Sequence, residues 1–113
     1  MLRVQERRRH VRIALSFPAV IRDRAGRVLL RGRSADIAPG GVRVIGRGGA
    51  SLREGLEVWV ELVVPRLGSS GPRQRIAKLR GEVRRITVMG EWRSVVVVVF
   101  ETDFASNLLD PTL

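Results

Sequence analysis

Residues 95–99 are five valines in succession, followed by Phe100. β-Branched side chains lose rotamer freedom in a helix and pack well on a pleated surface, so a helix is a poor alternative for this stretch. Turn-forming residues, Met89-Gly90-Glu91, stand before it. A short continuous apolar run bounded in this way reads as a central strand, Ser94 to Phe100, covered on both faces. Such a strand needs neighbours along both of its edges, and the rest of the chain supplies candidates.

The clearest of them is Leu56 to Val64, with apolar residues at every even position and Glu57 and Glu61 among the odd ones, the alternation of a half-buried strand. The same alternation appears at about residues 14–22, where Leu15, Phe17, Ala19 and Ile21 form one face and Pro18 hints at an edge position. Asp23-Arg24-Ala25-Gly26 then connects to an antiparallel return through Val28, Leu29 and Leu30 to about Asp36. Ala38-Pro39-Gly40-Gly41 turns the chain into a short strand at Val42, Val44 and Ile45, which Gly46, Gly48 and Gly49 end. A loop from Pro65 to Pro72 precedes a long strand from Gln74 to Val88, with Gly81 as a bend. Beyond Thr102 and Asp103, either of which can cap, residues 104–109 form a short helix with Phe104, Leu108 and Leu109 on one side, stopped by Pro111. Six strands joined by short turns, without a long helix or βαβ spacing, give an all-β fold, a barrel or sandwich.

The length of 113 residues fits one domain and leaves no room for a separate catalytic domain. Apolar residues make up 44% of the chain and charged residues 28%, enough to fold around a thin core. Residues 1–13 stand apart as an arginine-rich arm on the barrel of residues 14–113, carrying Arg3, Arg7, Arg8, Arg9 and Arg12 against Glu6 alone. No apolar stretch behind them is long enough for a signal peptide or a membrane span, so a soluble cytoplasmic protein is expected. Without cysteine there is neither a disulfide nor a thiolate metal site.

Lys+Arg number 21 and Asp+Glu 11, a net charge of +10, and every cation except Lys78 is an arginine. Guanidinium forks bind phosphates in a bidentate way and stack on flat rings, although a GC-rich genome produces the same bias. His10 is the only histidine and has no triad partner beside it, and the scattered acids match no metal-ligand spacing. Neither a catalytic nor a metal site is expected.

Two clusters combine instead. Arg8, Arg9 and Arg12 lie on the arm, and Asp36-Ile37-Ala38-Pro39-Gly40-Gly41 closes the second strand. Arginines can fork onto phosphate oxygens, reach the O6/N7 edge of guanine or stack on its face, while Asp36 can accept from N1 and N2 on the opposite edge. Gly40 and Gly41 allow close backbone approach and a concave set of N–H donors. Taken singly, an arginine run is a solvated tail and D-x-x-P-G-G is a turn.

In this order the two clusters resemble the PilZ family, whose signature is R-x-x-x-R in an N-terminal arm and D/N-x-S-x-x-G after the second barrel strand. Arg8 and Arg12 match the first motif, with Arg9 as the usual extra arginine, and Asp36 and Gly41 match the second. Glu6 to Arg12 is similar to the family's opening, and Val99-Phe100-Glu101 looks like its closing strand. The resemblance runs from about residue 6 to residue 104. It implies a six-stranded antiparallel PilZ-like β-barrel with a flexible N-terminal arm, a bacterial regulatory domain that binds cyclic di-GMP as ligand and carries no cofactor. Arg8, Arg9 and Arg12 then contact phosphate and guanine, Asp36 reads a guanine edge, and Ala38, Gly40 and Gly41 complete the site. Ordering of the arm on the ligand changes the surface offered to a protein partner.

Ala38 stands where the family has serine. Loss of one neutral hydrogen bond weakens affinity by roughly three- to tenfold. It also keeps open a degenerate adaptor that acts through protein contacts without nucleotide, as some members of the family do. A basic small barrel that binds nucleic acid is the remaining alternative, supported by the charge and by Arg73, Arg75, Arg80, Arg84 and Arg85. Against it, the few aromatics, Phe17, Trp59, Trp92, Phe100 and Phe104, mostly occupy core-like strand positions. The valine-rich strand and the short helix suit either a monomer or a homodimer.

Overall fold

The computed structural model describes residues 16–65, 74–91 and 93–101. The arm with Arg8, Arg9, His10 and Arg12, the loop at residues 66–73, Trp92 and the helix expected at residues 104–109 lie outside the described residues. Six strands follow in order, β1 Pro18–Arg22, β2 Val28–Ala38, β3 Gly41–Gly48, β4 Glu57–Pro65, β5 Gln74–Val88 and β6 Arg93–Phe100. They close into a barrel in the order β1-β2-β3-β6-β5-β4, every neighbouring pair antiparallel.

Closure removes the edges. Pro18 is therefore not on an edge strand, since β1 pairs with β2 on one side and β4 on the other. It is tolerated as the first residue of its strand, where the β4 ladder has not yet begun. The interior is filled by the alternation read in the sequence: Ile21, Leu30, Val44, Val58, Val60, Leu62, Val83, Val96 and Val98 are fully buried.

Strand β6 is central, between β3 and β5, yet its two faces differ. Ser94, Val96, Val98 and Phe100 are buried, whereas Val95, Val97 and Val99 are only half-buried on the outside. The unbroken valine run predicted cover on both faces because β propensity alone does not tell an inner from an outer position. Strand β3 also differs from its reading, continuing through Gly46. That residue pairs with Gly32, and a Cβ there would sit 2.3 Å from the carbonyl oxygen of Arg31. The two glycines let β2 and β3 approach where any side chain would clash.

Irregularities fall where side chains change face. Between Ser34 and Asp36 the β2–β3 register slips by one residue, so Ala35 is an extra residue in β2. Before the slip the inward residues are Leu30 and Ser34; after it the buried residue is Ile37. Uninterrupted alternation would aim Asp36 into the core alongside Ser34. The bulge turns it outward. The β1–β2 register also shifts, between Ile21 and Arg22, and a slip in β5, between Val83 and Arg85, changes parity as in β2, three residues beyond Gly81, the bend expected from sequence.

Candidate functional site

The turn joining β2 and β3 contains only Pro39 and Gly40. Its register is fixed: Ala38 faces Gly41, Ile37 faces Val42 and Asp36 faces Arg43. The backbone N–H of Phe100, at the end of β6, donates to the Gly40 carbonyl at 2.8 Å and holds the turn against that strand. Gly41 is demanded by the same contact. A Cβ built on it would lie 2.6 Å from the Val98 carbonyl oxygen, so the close approach this glycine permits is to the barrel's own wall.

Outward of this corner is a groove of about 130 Å³, lined by Asp36, Ala38, Gly40, Gly41 and Arg43 on one side and by Val97 and Val99 on the other. Four residues singled out in the sequence, Asp36, Ala38, Gly40 and Gly41, thus meet in one place. Arg43 was not among them. A two-residue turn at 39–40 makes Asp36 opposite Arg43 a matter of counting, and Val42 and Val44 as inward residues put Arg43 outside, so the signal was present. Arg43 Nη2 donates to Asp36 Oδ2, with the aspartate side chain 15% exposed and the arginine 45%. Such a groove is smaller than the pockets of roughly 300 Å³ and more that enclose a drug-sized ligand. It can seat a ring, not a whole dinucleotide, unless another segment covers the remainder.

The start of the barrel is tied close by. Ser34 Oγ accepts from the backbone N–H of Phe17 at 2.8 Å, and the Ser34 N–H donates to the Phe17 carbonyl at 2.8 Å. Arg33 donates from Nε to Ser16 Oγ at 2.7 Å and from Nη2 to the Ser16 carbonyl at 2.9 Å. The chain therefore enters the barrel beside residues 33 and 34 of β2, about 7 Å along the strand from Asp36.

Acids and ion pairs are distributed unevenly around the barrel. Strands β2, β3 and β6 carry Arg31, Arg33, Arg43, Arg47 and Arg93, with Asp36 as their only acid. Arg47 lies directly opposite both Arg31 and Arg93, and none of these three has a carboxylate partner among the described residues. Strands β1, β4 and β5 carry Arg22, Arg75, Lys78, Arg80, Arg84 and Arg85 with the acids Glu57, Glu61 and Glu82, and part of this charge is paired. Glu61 takes Arg22 at 3.1 Å and Lys78 at 3.8 Å, Arg80 reaches Glu101 at 3.8 Å, and the Arg80 guanidinium sits 4.9 Å from the Trp59 ring. The β5 arginines make no continuous basic stripe: Arg75 shares the parity of buried Ala77 and Leu79, Arg80 has the opposite parity, and Arg84 is the bulge residue.

A wider depression lies between the β1–β2 hairpin and the β3–β4 connection, lined by Asp23, Arg24, Arg27, Arg53, Glu54 and Glu57. Four of its charges pair among themselves, Arg27 with Asp23 at 3.1 Å and Arg24 with Glu57 at 3.7 Å. Backbone donation from Arg27, with that ion pair and a further bond from the Ala25 N–H, holds the Asp23 carboxyl below the ordinary aspartate range. This aspartate is a hairpin brace. Among the described residues no group of three His, Asp or Glu side chains is placed to hold a metal, and no helix is long and apolar enough to cross a membrane.

The PilZ domain family matches residues 6–108. Among solved structures, the chain is similar to the Bacillus subtilis inhibitor of motility MotI/DgrA, at 20% identity and a TM-score of 0.67, covering 90% of this chain and 46% of that one. It is similar to the PilZ domain of YcgR from Escherichia coli, solved with c-di-GMP, at 19% identity and a TM-score of 0.60, covering 85% of this chain and 79% of that one. MrkH of K. pneumonia, in complex with c-di-GMP, matches at 18% identity and a TM-score of 0.57, covering 87% of this chain and 46% of that one. This chain therefore spans just under half the length of MotI/DgrA and MrkH. No curated protein matches it. A family match through nearly the whole chain, on a closed barrel of the same fold, has one conclusion: the chain belongs to the PilZ domain family, regulatory domains that bind cyclic di-GMP and are not enzymes.

Proposed function

We propose that this chain is a cyclic di-GMP receptor domain in which guanine rests in the groove between Asp36 and the outer valines of β6. Arg8, Arg9 and Arg12 close over it and take the phosphates. The observation that carries this reading is the convergence of Asp36, Ala38, Gly40 and Gly41 on one groove, on the barrel face where five arginines meet a single acid.

Covalent reach supports it. Ser16 is four positions on from Arg12, a span of at most about 14 Å, and eight positions on from Arg8, at most about 29 Å. Both distances suffice to bring guanidinium groups over a groove that begins about 7 Å from the point of entry. Two of the similar solved proteins hold c-di-GMP, which makes the same ligand the first to test here. Ligand binding would hold residues 1–13 over the β2–β3–β6 face and so alter the surface presented to a protein partner, in the cytoplasm where a cyclic dinucleotide acts.

Ala38 favours a second reading, a barrel that has given up nucleotide and works through protein contacts. Calorimetric titration with cyclic di-GMP separates the two. The receptor reading expects micromolar or tighter binding, and losses of about ten- to hundredfold in Arg8→Ala, Arg12→Ala and Asp36→Ala, each of which removes a charge-assisted contact. A folded protein that gives no heat with the dinucleotide at high concentration supports the adaptor.

A further inference from the structure

Arg43 is the only cation lining the groove among the described residues, and it stands beside the carboxylate assigned to guanine. Guanine's Watson–Crick edge carries an acceptor, O6, next to two donors, N1–H and N2–H. A carboxylate satisfies the donors and leaves O6 unmatched. The Asp36–Arg43 pair presents the whole complement side by side. Arg43 spends one N–H on Asp36 Oδ2, and its remaining donors have no hydrogen-bond partner among the described residues. Adenine has an amino group in place of O6 and a bare nitrogen at N1, so it would meet guanidinium with a donor and carboxylate with an acceptor.

Resting on the guanine reading above, we infer that the Asp36–Arg43 ion pair recognises the base as a unit, Arg43 donating to O6 while Asp36 accepts from N1–H and N2–H. Arg43 is then a specificity-determining residue outside both sequence motifs. It also places a donor in the groove where Ala38 has none.

The test is calorimetric titration of the wild-type chain, Arg43→Met and Arg43→Lys with cyclic di-GMP, cyclic di-IMP and cyclic di-AMP. Cyclic di-IMP keeps O6 and lacks the amino group. The wild type should bind cyclic di-GMP best and cyclic di-AMP at least about a hundredfold more weakly. Arg43→Met should weaken cyclic di-GMP and cyclic di-IMP by the same factor, about tenfold or more, leaving their ratio unchanged. Arg43→Lys keeps a charge without the fork and should fall between. It decides the question alone if Arg43→Met does not fold. Unchanged affinity for cyclic di-GMP overturns the inference. So does a narrowed ratio of cyclic di-GMP to cyclic di-IMP, because an arginine that merely positions Asp36 would act through the carboxylate holding both donors. A wild-type chain that ignores all three dinucleotides removes the guanine reading itself, a result distinct from either.

Discussion

Asp36 is an acid among arginines, and its place depends on neighbours that a motif does not show. The sequence pattern identified Asp36, Ala38 and Gly41 because their order and spacing survive in one dimension. It passed over Arg43, whose meaning comes only from pairing across the turn. It also assigned Gly41 a role toward ligand, and the structure adds a packing requirement, since a Cβ there would lie 2.6 Å from the Val98 carbonyl oxygen. Ala38 is where a single substitution should improve the site. Ala38→Ser places a hydroxyl in the groove lined by Asp36 and Arg43, and should tighten cyclic di-GMP binding by about three- to tenfold with little change in thermal midpoint. Calorimetry on the two proteins checks this. Equal affinities would mean that the ligand does not approach residue 38.

At the scale of the strand, alternation was legible because each inward side chain repeats a constraint: β4 buries Val58, Val60, Leu62 and Val64 as its pattern requires. The bulges were not. Ala35 has no distinctive chemistry, and its role as the extra residue shows only in the pairing of β2 with β3. Outer-face pairing was equally hidden, and it sets Arg31, Arg47 and Arg93 in one row across three strands. Like charges directly opposite each other destabilise a sheet, so relief of the middle one should stabilise it. Arg47→Thr is expected to raise unfolding free energy by about 0.5 kcal/mol in low salt, the gain shrinking as ionic strength rises and screens the row. Urea denaturation at two salt concentrations measures both quantities, and a loss of stability in Arg47→Thr would show that the row is compensated by contacts outside the described residues.

For the whole molecule, strand count and class could be read from turns and periodicity, while the closed barrel was legible only through the family resemblance. The contacts that close the barrel, β1 with β4 and β3 with β6, join segments far apart in sequence and leave no local mark. Closure gives the charges their significance. It sends the acids of β4 to pair with Arg22, Lys78 and Arg24, and leaves the β2–β3–β6 side strongly positive with one carboxylate at its corner. A guanine dinucleotide, two anionic phosphates between bases that offer donors to a carboxylate, suits that face, where the one acid lies in the groove. Amide chemical-shift mapping during titration with cyclic di-GMP tests this most directly. The perturbed amides should be those of residues 36–38 and 40–43, Val97 to Val99 and Ser16–Phe17, where the chain enters the barrel. Perturbation confined to the opposite wall around Trp59 and Arg80, or a spectrum unmoved at millimolar nucleotide, would contradict the account.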